Sequence, residues 1–468
     1  MKKFYIKTLG CKANFSDGQS IEADLLSRGF LTAGSAEEAD FVVVNSCTVT
    51  DEADLQSKKA VRDLMKKNPG VKVVFTGCGA EVDPDSVMGL PGVSAVIGNQ
   101  DKFNAAALIE AHVGKEGAVP EVLGGVSAYG ELRSRHPMDR EWPLPEEGAI
   151  AAPVLPEGSS TFRTRSFLKI QEGCDSFCTY CIIPYGRGPA RSLRIEAVLE
   201  RIDGLVARGI REVVLTGTNI GDYGLDWNGS FELDSLVEAI LTKTGIERLR
   251  IGSLDPTEVS DRLIGLMESF EAFCPHFHVS LQHMESGILK LMKRKYNGDA
   301  VLDLFERISR MDRKPFIGMD VITGFPGETD GVFEAMRQKL SQLEWNRLHV
   351  FPYSEREGTP ATRLPGRVEM SVRKARARTL QELSLSRLVR VHAASRNALI
   401  KGVLLEGRVR GPDGKRDWIS GYSPDYQRVL VPVPEAVELR NCIVEISTSR
   451  WIVDRASGEV SWVGAIHE

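Results

Sequence analysis

Three apolar runs near the start of the chain, FYIKTLGC, FVVVNSC and KVVFTGC, each end in a cysteine. Continuous apolar runs of this length are typical of strands that are buried on both faces of a parallel sheet. Helical patterns separate the runs, and this order predicts an α/β domain with a doubly wound parallel sheet over residues 1–113. Because right-handed crossovers bring the carboxyl ends of parallel strands to one edge, we expect Cys11, Cys47 and Cys78 to meet there.

A second group of three cysteines, Cys174, Cys178 and Cys181, lies in the stretch GCDSFCTYC, and the whole chain of 468 residues has eight. No apolar signal region precedes the first strand pattern, and no stretch approaches the ~20 apolar residues of a membrane helix. We therefore expect a cytoplasmic protein with no membrane partner, in which clustered cysteines bind metal or catalyse. The net charge of −5 gives no global sign of a nucleic-acid partner, so any RNA-binding surface must be local.

The rest of the chain divides into a linker and two further domains. Residues 114–159 are rich in Gly, Pro and Glu without sustained periodicity, which indicates a linker. Residues 160–394 alternate strand and helix patterns, which predicts a partial (β/α)6 barrel built on the principle of the eight-fold barrel. Residues 395–468 contain short strand patterns broken by Gly and Pro and predict a small β-barrel. The six strand patterns of the central domain are RSFLKIQ, REVVLTG, RLRIGSL, HFHVSLQ, KPFIGMDVITG and NRLHVFPY.

A basic stretch precedes the small β-barrel. Residues 370–401 have a helical pattern and carry eight Lys and Arg against one Glu. A solvated helical face explains such a run, and so does a surface that follows RNA phosphates. The candidate RNA-binding residues are Arg373, Lys374, Arg376 and Arg378.

Three cysteines so close together restrict the kind of metal site. A structural zinc site needs four ligands, and only the distant Cys274 could supply a fourth thiolate. Ferredoxin-type clusters use four cysteines at other spacings. Three thiolates on a four-iron cluster leave one iron open to bind substrate. Taken singly, the N-terminal cysteines also fit the pattern of small buried hydrophobes.

The spacing CxxxCxxC after the first strand of such a barrel, with Tyr180 before the third cysteine, resembles the radical S-adenosylmethionine (SAM) superfamily. In that superfamily, SAM binds the open iron of a [4Fe-4S] cluster, and an electron from the cluster cleaves it to methionine and a 5′-deoxyadenosyl radical. The resemblance implies that Cys174, Cys178 and Cys181 are the catalytic cluster ligands. It also implies SAM contacts, although turn chemistry explains such strand-end residues equally well. The implied contacts are Tyr180, Thr216, Gly217, Ser280, Gln282 and Asp320.

Further motifs extend the resemblance to the whole chain. TLGCKAN, VVNSCTVT and TGCGA, followed by GCDSFCTYCIIPYGRGPARS, resemble the methylthiotransferase family of radical SAM enzymes, and the small β-barrel resembles the RNA-binding TRAM domain. The resemblance implies a second [4Fe-4S] cluster on Cys11, Cys47 and Cys78. One SAM would methylate sulfur at that cluster, and another would give the radical that activates a C–H bond for insertion of CH3–S. The implied partners are tRNA, an external electron donor of the flavodoxin or ferredoxin type, and a sulfur source.

The substrate is narrowed by the same resemblance. Family members modify N6-isopentenyladenosine or N6-threonylcarbamoyladenosine in tRNA, or an aspartate of a ribosomal protein. The segments LTGTNIGDYG, FPYSEREGTPA and SGYSPDYQRV are most similar to the bacterial threonylcarbamoyladenosine branch, and Thr218-Asn219 stands where the isopentenyl branch has Gln-Asn. We expect methylthiolation at C2 of the nucleoside at position 37. A non-catalytic, zinc-dependent RNA-binding protein stays open as an alternative, and it would contain zinc instead of about eight irons per chain.

Several other residues allow two interpretations of their role. Arg187 and Arg191 follow the cysteine motif, and they either contact a carboxylate or phosphate or belong to a solvated loop. His276, His278 and His283 alternate along and beyond one strand pattern, and we interpret them as core or surface histidines rather than ligands.

Overall fold

The chain forms an N-terminal sheet, a central set of parallel strands and a C-terminal closed barrel. In the computed structural model, the described residues are 1–113, 120–124, 164–394, 397–412, 414, 418–433, 438–455 and 457–467. Most of the predicted linker, residues 114–119 and 125–159, lies outside them. Within this described part of the chain, no helix combines the length and apolar character that crossing a membrane requires.

The N-terminal sheet confirms the predicted doubly wound α/β fold. Its six strands are all parallel, in the order β2-β1-β3-β4-β5-β6, and separate apolar clusters cover its two faces. The sixth strand comes from within the segment that was predicted as a linker. The strands are β1 (Lys3–Thr8), β2 (Leu31–Thr32), β3 (Phe41–Ser46), β4 (Lys72–Gly77), β5 (Val93–Ile97) and β6 (Glu121–Leu123). The helices are Lys12–Ser27, Asp51–Lys67, Cys78–Val82, Pro84–Met88 and Ala105–Val113.

The N-terminal sheet extends in opposite directions from β1 and from β3. From β1 the chain continues to one side of the sheet, and from β3 it continues to the other. A crevice opens at such a switch point, outside the carboxyl ends of the strands, and ligands bind there in open α/β sheets. Cys11 follows β1 and Cys47 follows β3, so both lie at this crevice.

The central domain confirms the six predicted strands of a partial barrel. They run parallel in sequential order, in two sheets, β7-β10-β11 and β12-β13-β14-β15, with β11 and β12 forming two parts of one predicted strand. A short antiparallel pair, β8-β9, flanks them. The strands are β7 (Arg165–Lys169), β8 (Gln171–Glu172), β9 (Arg191–Ser192), β10 (Glu212–Thr216), β11 (Arg248–Ile251), β12 (Ser253–Leu254), β13 (His276–Gln282), β14 (Phe316–Thr323) and β15 (Arg347–Pro352).

Helices surround these strands, and one apolar core fills the space between helices and sheet. The basic stretch forms the last and longest helix of the domain. The helices are Ile183–Arg187, Ile195–Val206, Leu225–Asn228, Leu233–Lys243, Asp261–Ser269, Ser286–Leu291, Gly298–Ser309, Asp330–Gln342 and Met370–Ala394.

The C-terminal domain is a closed five-stranded barrel, as the sequence predicted. Its strand order is β16-β17-β18-β20-β19, and only β18 and β20 pair in parallel. Closure leaves the sheet without an unpaired edge. The strands are β16 (Leu399–Val409), β17 (Trp418–Tyr422), β18 (Arg428–Pro432), β19 (Ile443–Asp454) and β20 (Glu459–Ile466).

Buried charges attach this small barrel to the amino end of the central strands. Arg248 Nη2 donates to the Ser423 carbonyl at 3.1 Å, and Arg250 Nη1 donates to the Pro424 carbonyl at 2.7 Å. Both guanidinium groups also pair with the fully buried Glu212, at 2.6 and 3.1 Å. Since buried charges are tolerated when they are paired and hydrogen-bonded, Glu212 makes this docking possible.

Replacing Glu212 should therefore destabilise the protein. Glu212→Ala leaves buried guanidinium groups without a counter-charge, and we expect a loss of about 3–5 kcal/mol in the free energy of unfolding, measured by urea denaturation. Glu247→Ala is the matched control, because it removes a carboxylate that pairs with Arg211 at 2.6 Å in an exposed position, which is worth about 0–1 kcal/mol. Equal losses in the two variants would contradict the role of Glu212.

The wild-type protein and Glu212→Ala also allow a test of this role by pH. Burial raises the pKa of Glu212, but the charges of Arg250, Arg248 and Arg165 outweigh it and lower the pKa to about 2. The stabilising contribution is therefore complete above the ordinary glutamate value of about 4.5 and disappears as the pH falls towards 2. The difference in stability between wild type and Glu212→Ala should shrink over that range.

Candidate active site with two cysteine triads

The first triad lies in the loop after β7 and β8. Cys178 is buried, whereas Cys174 and Cys181 are half-buried. Gly173 has φ +74°, and a Cβ there would lie 1.8 Å from the Pro189 carbonyl oxygen, so this turn requires glycine. Cys174 N donates to the Gly188 carbonyl at 3.0 Å, which folds the loop back onto itself. The three sulfurs are thereby held at the carboxyl edge of the central strands.

The chemistry of this triad fits a metal cluster with a thiolate donor set. Burial, with the neighbouring Cys178 charge, raises the pKa of Cys174 to about 11, and the same causes raise the pKa of Cys181. Such thiols lose their protons when a bound cation compensates the charge. Arg294 Nη1 donates to Cys178 Sγ at 3.2 Å, so a guanidinium group already faces the buried sulfur.

Arg294 is a candidate functional residue that the sequence did not indicate. Besides Cys178, its guanidinium pairs with Asp255 and lies 3.5 Å from the Tyr180 hydroxyl. It follows the helix Ser286–Leu291 in the segment RKYN, which has no pattern that would single it out. The sequence signal for this group of residues was the segment SLDP, which contains Asp255 and lies at the end of a predicted strand.

The predicted SAM contacts lie at different depths of the same domain. Tyr180 packs edge-on against Phe325, and the Ser280 carbonyl lies 3.5 Å from Arg294 Nη2, which places both near Cys178. Thr216 ends β10, and a Cβ on the next residue, Gly217, would lie 2.8 Å from the Gln171 carbonyl.

Two of these residues stand apart from that group. Gln282 ends β13 in the left-handed region with φ +58°. Asp320 Oδ1 lies 2.9 Å from His278 Nε2, further towards the amino end of the strands. All six assignments to SAM stay predictions.

An acidic group lies beside the first triad, after β10 and β12. Burial, followed by the charges of Asp255 and Asp222, raises the pKa of Glu258 to about 7. Asn219 Nδ2 donates to Asp222 Oδ2 at 2.8 Å and holds that carboxylate in place. Two of the three carboxylates already face a cation, Asp255 through Arg294 and Asp222 through Lys295 at 3.6 Å. The raised pKa of Glu258 would fall again if a ligand brought positive charge beside it.

The second triad is assembled by two glycine turns. Gly10 has φ +95°, and a Cβ there would lie 2.5 Å from Cys47 Sγ, so the turn before Cys11 lies against Cys47. Gly77 has φ +93°, and a Cβ there would lie 2.4 Å from the Ser46 carbonyl. Burial and the charges of Cys78 and Cys11 raise the pKa of Cys47 to about 12. The three thiols are therefore electrostatic neighbours at the crevice of the N-terminal sheet.

The donor set of each triad suits an iron–sulfur cluster, which thiolates hold in proteins. In the part of the chain that the structure describes, no group of three His, Cys, Asp or Glu side chains is arranged around a single metal position. Soft thiolates are the ligands that iron–sulfur clusters prefer.

Arg187 joins the two triads. It ends the helix Ile183–Arg187 that follows the first triad, and its Nε donates to Cys78 Sγ of the second at 3.2 Å. Its side chain is 2% exposed, and its Nη2 donates to Asn14 Oδ1 at 2.8 Å and to Asp17 Oδ2 at 3.0 Å. Asn99 Nδ2 donates to the Gly186 carbonyl at 2.7 Å. The interpretation of Arg187 as part of a solvated loop is therefore wrong, and Arg191 is also buried.

The candidate RNA-binding residues divide into two pairs. Arg373 is buried, with Nη1 donating to the Tyr353 carbonyl at 3.0 Å, and Arg376 is buried against Glu328 and Asp330 at 2.7 and 2.6 Å. These contacts correct the expectation for both, because neither guanidinium is free to meet a phosphate. Lys374 and Arg378 are exposed, and their contact with RNA stays a prediction.

Comparisons with known proteins agree with this architecture. A family model described as "Uncharacterized protein family UPF0004" matches residues 3–98, and that of the radical SAM superfamily matches residues 168–340. The chain is 32% identical to the threonylcarbamoyladenosine tRNA methylthiotransferase MtaB of Bacillus subtilis, over 90% of this chain and 89% of that protein. It is also 32% identical to the protein of the same name in Chlamydia pneumoniae, over 98% of both chains.

Two further comparisons concern a relative named for another nucleoside and a solved structure. The tRNA-2-methylthio-N(6)-dimethylallyladenosine synthase of Desulfotalea psychrophila is 30% identical over 88% of this chain and 91% of that protein. Among solved structures, the radical SAM methyltransferase TsrM of Kitasatospora setae superposes with a TM-score of 0.55 at 15% identity, covering 89% of this chain and 80% of that one. The likeness to TsrM supports the fold alone.

Gly10 provides a test of the second triad. Gly10→Ala forces a Cβ to within 2.5 Å of Cys47 Sγ and should displace that sulfur. We expect the iron content of anaerobically reconstituted protein to fall from about eight to about four per chain. Gly29→Ala is the matched control, because Gly29 has φ +84° but no atom within 4 Å of the added Cβ, and it should keep its iron. Full iron in both variants would mean that Cys47 is not a ligand.

Proposed function

The chain belongs to the radical SAM methylthiotransferase family, and on that premise we propose that it inserts a methylthio group at C2 of N6-threonylcarbamoyladenosine at position 37 of tRNA. The observation that carries the proposal is the pairing of two cysteine triads through Arg187 in one chain. The names of the Bacillus subtilis and Chlamydia pneumoniae relatives support this nucleoside. The Desulfotalea psychrophila relative makes the isopentenyl (dimethylallyl) nucleoside the runner-up.

The six cysteines would hold the cofactors. Cys174, Cys178 and Cys181 suit the [4Fe-4S] cluster of radical SAM enzymes, and Cys11, Cys47 and Cys78 suit a second one. When bound, the first cluster would supply the electron that cleaves SAM, and the second would be the site at which sulfur is methylated. Of the acidic group beside the first triad, Asp255 and Asp222 already face Arg294 and Lys295, so Glu258 would face the cationic end of SAM.

The remaining residues position these groups. Arg294 fixes Cys178, and Arg187 fixes Cys78, each through an N–H that points at sulfur. The helix Lys12–Ser27 packs against β7, and the helix Cys78–Val82 packs against Ile183–Arg187, so the second triad lies over the carboxyl edge of the central domain.

The proposal implies partners and a compartment. An external electron donor of the flavodoxin or ferredoxin type must reduce the first cluster. A sulfur source must replace the sulfur that each turnover inserts into the product. From the tRNA substrate that we propose, we infer a cytoplasmic location.

Nucleoside mass spectrometry of tRNA from a deletion strain tests the function. We expect loss of 2-methylthio-N6-threonylcarbamoyladenosine, accumulation of its unthiolated precursor, and recovery with the wild-type chain. A variant with Ala at Cys11, Cys47 and Cys78 should not restore the product, although the purified protein still forms 5′-deoxyadenosine from SAM. A variant with Ala at Cys174, Cys178 and Cys181 should do neither. If the methylthiolated isopentenyl nucleoside is lost instead, the substrate is N6-isopentenyladenosine and our assignment is wrong.

The exposed basic residues of the helix Met370–Ala394 allow a test of RNA binding. Replacing Lys374 and Arg378 with Ala should weaken tRNA binding and lower the slope of log K against log salt by about one per residue, because fewer counterions are released. Replacing Lys66 and Lys67, which are 79% and 63% exposed on the N-terminal domain, removes the same charge elsewhere and should leave the slope unchanged. A slope that Lys374 and Arg378 do not alter would place the RNA surface elsewhere.

A further inference from the structure

A cavity of about 260 Å³ lies where all three domains meet. The N-terminal domain contributes Lys12, the central strands contribute His278 and His349, and the C-terminal barrel contributes Tyr426 and Glu459. Ligand sites occur preferentially at such domain interfaces. The volume is below the usual range for a whole drug-sized ligand, so this cavity suits one side group of a larger molecule.

The cavity is continuous with the chemistry described above. Lys12 directly follows Cys11, and His276 and His278 share one face of β13, because alternate residues of a strand point to the same side. Ser280 follows His278 by two residues, which span about 6.6 Å along a strand. The cavity therefore lies at the amino-terminal half of these strands, about one such span from a predicted SAM contact.

Two of the histidines that line the cavity have a nitrogen with neither a hydrogen bond nor an ion pair among the described residues. These are His276 Nδ1 and His392 Nε2, on side chains that are 3% and 1% exposed. Buried polar atoms are nearly always paired, so two unpaired nitrogens around one cavity indicate a polar group that belongs between them. Burial also lowers the pKa of both rings, which keeps them neutral at pH 7 and able to donate or accept.

Positive charge outweighs negative charge around the cavity. Lys12, Arg347 and Arg428 line it, against Glu459, while Asp320 lies behind His278 and contacts that ring at 2.9 Å. Glu459 lies 3.0 Å from Arg428 and 3.9 Å from Arg347, so Arg428 takes most of its charge. In the described part of the chain, the Lys12 ammonium has no ion pair. A ligand that satisfies this cavity carries an anion together with neutral hydrogen-bonding groups.

We propose that this cavity receives the threonyl group of N6-threonylcarbamoyladenosine and is the specificity pocket of the enzyme. Lys12 and Arg347 would neutralise the carboxylate, and His276 and His392 would bond to the hydroxyl and carbamoyl groups. The isopentenyl group has none of these and would leave the charges of the cavity unpaired. A site built to bond polar groups rejects an analogue that lacks them far more strongly than an apolar pocket does. This inference rests on the proposed function and deepens it.

Binding of free nucleosides tests the pocket without the RNA surface. Equilibrium dialysis of the reconstituted protein should show tighter binding of N6-threonylcarbamoyladenosine than of N6-isopentenyladenosine. Arg347→Met and Lys12→Met should each reduce that preference about 10- to 100-fold, the effect of losing a hydrogen bond to a charged group. Arg347→Lys and Lys12→Arg keep the charge and should recover part of it.

A matched control is Arg337→Met, which removes an arginine paired with Glu334 at the surface and should keep the full preference. Loss of binding to both nucleosides alike in Arg347→Met, without recovery in Arg347→Lys, would overturn the pocket while leaving the proposed function intact. Preference of the wild-type protein for a tRNA backbone phosphate analogue over the threonylcarbamoyl nucleoside would also overturn it. Failure of the proposed function appears separately, as loss of a different nucleoside in the deletion strain.

Discussion

A buried group of five charges holds the N-terminal and central domains together. Asp17 of the N-terminal domain pairs with Lys169 and with Arg187 of the central domain, and Glu172 pairs with Lys102 at 2.7 Å and with Arg187 at 2.5 Å. Each charge costs several kcal/mol to remove from water and is tolerated only because its partners are in place. The two domains therefore cannot slide apart without leaving charges unpaired, and the distance between the two triads is fixed by this group.

Arg187 of this group also faces the second triad, because its Nε points at Cys78 Sγ at 3.2 Å. A guanidinium in that position favours a thiolate, the form in which cysteine binds metal. Arg294 repeats the arrangement at Cys178 with a contact of the same length, 3.2 Å. Hydrogen bonds to ligand sulfur are among the factors that set cluster potentials, so each triad has one arginine able to adjust its redox chemistry.

The sequence predicted the strands and the positions of the six cysteines because both depend on local pattern. Apolar runs locate buried strands, and crossover handedness then determines which edge their ends share. The roles of Arg187 and Arg294 could not be predicted in this way, since their partners are distant in the chain. Arg373 and Arg376 show a different difficulty. Their charge suggested a solvent face, but they share a helix stripe with Ala377, Leu380 and Leu388, which are buried, and only this spacing places the two arginines inward.

The C-terminal barrel has a part in the site that its fold alone does not suggest. The turn of residues 423–426 lies across the amino end of the central strands, where Tyr426 packs on His276 with ring centroids 4.7 Å apart. The Arg250 guanidinium covers the same tyrosine ring at 4.8 Å. This turn closes the cavity from below, while Lys12 reaches it from the N-terminal domain. A pocket lined by three domains exists only when all three are docked, so the buried charges that assemble the protein also determine what it can bind.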